Sequence, residues 1–305
     1  MNEIEYRPLK LDEDKKKFKA LHNILFKNTA MSSEWMDWYF ELAKDVRTYG
    51  AFDNENLVGI WCVEAKELSV GRRNTKPVGR CFSVGVHPSF QRRGIFLALS
   101  KFAIEQEKKK GQYDYILGFP QFGRSVIDGH LKAGWEHAQD IDVFSIKPSL
   151  VDEKASLNSV GRLEKFDNED SFVPKGGFKE SARYNTRRWL RHPDNHYVCL
   201  DYEPGSFIVV KPYGDSCHIL GLEGPNEDVI ELLEAVKTLA RRHAWKEINM
   251  WCASNDPKKS AVKSCGFSLG SERGTGVKLL AVRINAIEPL VLDKCSFQMG
   301  VEEVY

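Results

Sequence analysis

Ser83-Val84-Gly85-Val86-His87-Pro88-Ser89-Phe90-Gln91-Arg92-Arg93-Gly94-Ile95-Phe96-Leu97 is the most informative stretch of this chain. It reads as a strand, a proline stop, a basic turn with one glycine, and the start of a helix. The first turn of a helix leaves several backbone N–H groups unpaired. Those donors and the positive end of the helix dipole form an anion site. Gly94 lets a phosphate approach the backbone with no Cβ in the way, and Arg92 and Arg93 add positive charge. The chemistry fits a pyrophosphate-type ligand. It also fits a solvated basic turn before an amphipathic helix, because such short motifs occur by chance.

Upstream, Glu5–Lys10 reads as a strand. Asp12–Phe26 has helical spacing, with Phe18, Leu21, Ile24 and Leu25 on one face. A short helix opening at Ser33 carries Trp35, Trp38 and Tyr39. Thr48–Asp53 and Leu57–Lys66 read as a hairpin, and Val78–His87 as the next strand. Downstream come a helix over Gly94–Lys110, a strand at Tyr115–Phe119, a short helix over Ser125–Ala133 and a strand at Asp142–Ile146. The order predicts a mixed α+β/α/β fold: a mostly antiparallel sheet flanked by helices.

With these elements in place, the segment resembles the acetyl-CoA-binding motif of the GNAT superfamily of acyl-CoA N-acyltransferases. That motif runs Gln/Arg-x-x-Gly-x-Gly/Ala after a strand ending V-x-P. Gln91, Gly94 and Val86-His87-Pro88 match; Phe96 departs, standing where the family has a small residue. Gly118-Phe119-Pro120-Gln121, Ser125 and Gly134-Trp135 are similar to a run in a two-domain subgroup of GNAT-like proteins, with Gln121 in place of Asn. The resemblance implies acetyl-CoA as acyl donor, held by Val84, Gly85, Val86, Gln91, Arg92, Arg93, Gly94, Ile95, Phe96, Phe119, Gln121 and Ser125. It implies fourth and fifth strands splayed around the thioester, with the pantetheine arm pairing along Val84–Val86. It also implies transfer of an acetyl or other acyl group to the primary amine of a small acceptor, such as an amino sugar or amino acid derivative.

The second half repeats the pattern weakly. Tyr197–Tyr202, Ser206–Lys211, Cys217–Leu222 and Ile248–Cys252 read as strands, and Asp228–His243 and Pro257–Ser264 as helices. Phe119 to Trp135 and Trp251 to Phe267 have equal spacing, which suggests an internal duplication. Its counterpart of the basic turn, Glu223–Asp228, is acidic and would repel a pyrophosphate. The expectation is therefore a GNAT-like domain over residues 1–148 with the acyl-CoA site, a connection over 149–179, and a degenerate GNAT-like domain over 180–305.

No acid/base pair stands out. Arg80 matches the position where some GNAT members carry a catalytic glutamate, and an arginine is no base; it could clamp an oxyanion of the acceptor. The helix that carries the family's tyrosine acid holds Asp128 and His130 instead. A lone exposed His130 could titrate near neutral pH. Glu64, Ser83 and the Tyr305 carboxylate are further candidates. Trp35, Trp38 and Tyr39 read as core, or as the floor of an acceptor pocket. Arg187–His192 reads as a solvated helix with one buried Trp.

Composition sets outer bounds. The chain has 305 residues, 44 Lys+Arg against 43 Asp+Glu, and 42% apolar residues. A largely disordered or collagen-like chain is excluded, and the length favours two domains. Near-neutral charge speaks against a constitutive nucleic-acid binder. The charged beginning does not read as a signal peptide, and no window is apolar enough for a membrane helix. Seven scattered cysteines lack zinc-ligand spacing and read as reduced thiols of a cytoplasmic protein without a metal. Two alternatives stay open: a Fem-type aminoacyl-tRNA-dependent transferase, also built from two GNAT-like domains, and a non-catalytic CoA-binding module. A homodimer is also left open.

Overall fold

The computed structural model describes residues 3–27, 30–42, 45–70, 74–148, 160–163, 177–270, 276–292 and 295–301. The Tyr305 carboxylate and most of the expected 149–179 connection lie outside the described residues. The first half runs β1 (Ile4–Pro8), α1 (Leu11–Leu25), α2 (Ser33–Leu42), β2 (Val46–Asp53), β3 (Asn56–Ser69), β4 (Thr75–Val86), α3 (Ile95–Lys110), β5 (Tyr115–Gly118), α4 (Val126–Lys132) and β6 (Glu136–Ile146). The second runs β7 (Gly161–Arg162), β8 (Gly177–Lys179), α5 (Ala182–Asn185), β9 (Val198–Asp201), β10 (Phe207–Tyr213), β11 (Ser216–Glu223), α6 (Asn226–Arg242), β12 (Glu247–Ala253), α7 (Lys259–Ser264), β13 (Ser268–Leu269) and β14 (Val277–Arg283).

The described strands join one mixed sheet, ordered β1-β2-β3-β4-β5-β14-β6-β12-β11-β10-β9-β7, with β8 on β3 and β13 on β6. The first four strands are antiparallel neighbours; β2–β3 and β3–β4 follow one another directly, while β1 reaches β2 through α1 and α2. Each half then has one parallel pair bridged by a helix: β4–α3–β5 and β11–α6–β12. Each pair shares three registered positions. The repeat inferred from aromatic spacing is thus a repeat of topology.

The halves also exchange strands. β14 lies between β5 and β6, antiparallel to both. β6 in turn pairs with β12. β14 was not read from the sequence, although its Val-Lys-Leu-Leu-Ala-Val-Arg run suits a strand buried on both faces.

Each sheet face buries its own cluster. One packs on α3 through Tyr49, Trp61, Ile116, Leu99 and Ala103. The opposite face packs on α1 and α2 through Phe18, Leu21, Trp35, Tyr39, Ile60 and Phe82. Ile24 is exposed, against the sequence expectation, and His22 takes the buried slot. α6 has the clearest helical stripe, with Val229, Leu232, Leu233, Val236 and Ala240 buried against the second half's strands.

Candidate acyl-CoA site

The site begins where β4 leaves β5. The two strands are registered at Val78–Tyr115, Gly79–Ile116 and Arg80–Leu117. Beyond Arg80, β4 continues along β3 to Val86, while β5 ends at Gly118. A register shift between Ile60 and Cys62 on β3 marks a bulge, and the facing Ser83 has φ +47°. A bulge bends its strand and increases the local twist, which drives β4 away from β5. Past it, Val84 packs toward the α3 side, and Gly85 lies against α1, where a Cβ would sit 2.8 Å from Leu25 Cδ1. Ser83 Oγ is buried at the parting point without a hydrogen-bond partner.

From Val86 the chain turns into α3. Pro88–Phe90 form a short 3-10 turn, held by the Ser89 N–H donating to His87 Nδ1 at 3.2 Å. Gln91 Nε2 donates to the Val86 carbonyl at 3.2 Å and ties the loop to the strand end. Arg92 at φ +60° and Gly94 at φ +77° then reverse the backbone. Ala98 N–H donates to the Gly94 carbonyl at 3.0 Å. The N–H groups of Ile95, Phe96 and Leu97 therefore precede the helical ladder. A Cβ at Gly94 would meet nothing within 4 Å. Arg92 and Arg93 are exposed, with the Arg93 guanidinium 4.9 Å from the Phe90 ring centre. Open space, aligned donors and two cations fit a pyrophosphate.

Phe96 does not cover this helix end. Its ring meets His130 edge-on at 5.2 Å and leans on Gly129, where a Cβ would come within 2.5 Å of Phe96 Cε1. The large residue on α3 is matched by the missing side chain on α4. His130 corrects the sequence reading: it is buried between Phe96 and Trp135, not exposed. Burial pushes its pKa down to about 4, so it stays neutral near pH 7. Asp128 is exposed in the first turn of α4. Ser125 and Gln121 are exposed on the loop before it, and Gln121 Oε1 accepts from Arg124 at 3.0 Å. Phe119 is buried and packs on Phe178, Trp251 and Phe297.

On the opposite face, Arg80 is 1% exposed. Its Nε donates to Glu64 Oε2 at 3.0 Å and its Nη2 to Tyr39 Oη at 3.1 Å. Lys66 Nζ lies 2.7 Å from Glu64 and 2.8 Å from Glu180. Burial alone would raise the Glu64 pKa; Lys66 and Arg80 outweigh it and hold the carboxyl below its ordinary range. Glu64 is thus a structural anion and a poor base. Glu180 and Tyr184, missed in the sequence, come from the second half; Tyr184 Oη donates to Glu64 Oε1 at 3.4 Å. The basic segment is helical, a π-helical turn over Thr186–Leu190 with the expected buried Trp189, but Arg188 is buried as well, so it is docked rather than solvated.

Among the described residues, no group of three or more His, Cys, Asp or Glu side chains could hold a metal, and no helix is long and apolar enough to cross a membrane.

Residues 5–138 match the acetyltransferase (GNAT) domain family. This part of the chain is similar to that family's domain, and the whole has the GNAT-like fold. Among solved structures it is similar to a GCN5-related N-acetyltransferase from Anabaena variabilis, at 13% identity and TM-score 0.67 over 93% of this chain and 73% of that one. A GCN5-related N-acetyltransferase from Kribbella flavida aligns at 16% identity and TM-score 0.64 over 91% and 71%. A tandem GNAT protein from the clavulanic acid biosynthesis pathway aligns at 13% identity and TM-score 0.59 over 94% of this chain and all 100% of its own. No curated protein matches.

Proposed function

We propose that this protein is an N-acetyltransferase that moves an acetyl group from acetyl-CoA to the primary amine of a small acceptor. The observation that carries the reading is the parting of β4 from β5 at Arg80–Leu117, beside an α3 N-terminus capped by left-handed Gly94. The N–H groups of Ile95, Phe96 and Leu97, with Arg92 and Arg93, would hold the pyrophosphate. The β4 edge at Val84–Val86, which has left β5, would pair with the pantetheine arm as an added strand.

Acetyl-CoA supplies an activated thioester. The amine nitrogen forms the new C–N bond, the C–S bond breaks, and CoA leaves as a thiolate that takes up the proton the amine loses. The residues of this chain hold and polarise. Ser83 offers a buried hydroxyl where the strands part, placed to donate to developing negative charge. Arg80, bound by Glu64 and Tyr39, fixes β4 at that point. His130, Asp128 and Glu64 are not assigned the proton: one is buried neutral, one is at the surface, one is held as an anion.

We assign the donor site to the domain over residues 1–148. The domain over 180–305 is a second copy without a phosphate loop, since the first turn of α6 carries Glu227 and Asp228. The seven cysteines are free and buried, which supports a reducing compartment, the cytoplasm.

Isothermal titration with acetyl-CoA tests the reading. Binding is expected, weakened about tenfold or more by Gly94→Asp and by Arg92→Glu. No binding of any acyl-CoA by the folded protein would sink it.

A further inference from the structure

Gln298 and Glu223 share the wall of one cavity with Arg80 and Lys66. The cavity measures about 90 Å³. At about 10–15 Å³ per water, that is room for roughly six to nine non-hydrogen atoms. Its first-half wall is Lys66 and Arg80, the latter standing where β4 leaves β5. Its second-half wall includes β11 and Gln298.

Gln298 is 8% exposed, and its Oε1 has no hydrogen-bond partner. Its amide orientation follows from a relay. Ser296 Oγ donates to Asp256 Oδ2 at 2.7 Å, so it must accept from Gln298 Nε2, at 2.8 Å. The Asp256 Oδ1 accepts from the Lys258 N–H at 2.8 Å, which anchors the relay. Oε1 is thereby fixed as an acceptor. A buried acceptor without a donor is costly and calls for an explanation. Glu223 is the second acceptor on this wall; it is steadied by Lys258 Nζ at 3.1 Å.

We propose that this cavity between the halves receives the acceptor substrate, a compact primary amine, whose two N–H groups bond to Gln298 Oε1 and Glu223. Lys66, Arg80 and Arg188 stand on this cavity together with the Glu180 and Glu223 carboxylates, so its wall carries both signs of charge. A neutral amine has two donors for the two acceptors and keeps its lone pair for the thioester. An amine the size of ethanolamine or glycinamide fits within it; an amino sugar does not fit whole. This inference rests on the acyltransferase reading.

The test compares acetyl-CoA-dependent acylation of ethanolamine and glycinamide with that of glucosamine and a lysine-containing peptide. The compact amines should be the better acceptors. Gln298→Met should raise their KM about tenfold while the acetyl-CoA Kd, read by calorimetry, stays unchanged. The pocket is overturned if the bulky amines are preferred, if Gln298→Met leaves KM unchanged, or if no amine is acylated by protein that binds acetyl-CoA. Failure of the wild-type protein to bind acetyl-CoA removes the donor reading instead, so the two failures are distinguishable.

Discussion

The ring of Phe119 stacks on the ring of Trp251, with centroids 6.2 Å apart and planes at 19°. These residues close β5 and lie in β12, the equivalent strands of the two halves. The repeat therefore meets itself across the middle of the sheet, in a cluster that also holds Leu117, Val143, Leu279 and Phe297.

Truncating either ring should be felt by the whole chain. Phe119→Ala and Trp251→Ala should each cost about 3–5 kcal/mol. The double variant should show a coupling of about 0.5–1.5 kcal/mol in urea unfolding. Strictly additive losses would show that the stacked pair contributes nothing of its own.

Phe96 and Gly129 make a size-matched pair. Gly129→Ala places a Cβ within 2.5 Å of the Phe96 ring and should destabilise by about 1–3 kcal/mol. Phe96→Ala leaves room for that methyl, so the double variant should be less damaged than the two single losses added together. Thermal unfolding of the four proteins decides; additivity would mean α4 moves aside freely.

How much of this was legible beforehand depends on sequence distance. The strand, basic turn and helix around residues 83–97 lie within one local stretch, and local rules place them. Glu64 and Arg80 face each other in the β3/β4 ladder, so a hairpin register would have found the pair. The strand at 277–283 was readable from its apolar run, but not its seat between β5 and β6, because no local rule names a partner so far along the chain. Gln298 carries no signal at all: its importance comes from Ser296, whose hydroxyl is committed to Asp256 and so accepts from the Gln298 amide. His130 was misplaced because a polar residue on a short helix gives no hint that two aromatic rings will close over it.

His130 should make the fold acid-sensitive. Its folded pKa is pushed down to about 4 by burial, from an ordinary 6.5. Above 6.5 both states are neutral there and nothing changes. As pH falls from 6.5 toward 4, the unfolded chain takes the proton first and stability drops, by an amount on the order of 3 kcal/mol. His22, also pushed down by burial to about 4, acts in the same window. His130→Phe should therefore lose less stability than wild type between about pH 7 and about pH 4.5, read as urea midpoints. Equal losses would place the acid sensitivity elsewhere.

Arg92 separates stability from ligand affinity. Its left-handed φ of +60° is one that glycine adopts without strain. Arg92→Gly should hold or raise the unliganded Tm, by up to about 1 kcal/mol in stability. The same change removes a cation from the helix end and should weaken acetyl-CoA binding severalfold. A lower Tm with unchanged affinity would show that Arg92 serves the fold and not the ligand.

The seat of β14 has a consequence for how the molecule is made. Translation delivers the first half long before residues 277–283 leave the ribosome, and domains tend to fold as they emerge. Here the early half has its 83–97 turn in hand but carries an open seam between β5 and β6, lined by unsatisfied backbone groups. Only the late strand can close it. The nascent protein must keep that seam from pairing with a neighbouring chain until β14 arrives, so maturation of the proposed donor site waits on residues 277–283 rather than on its own sequence.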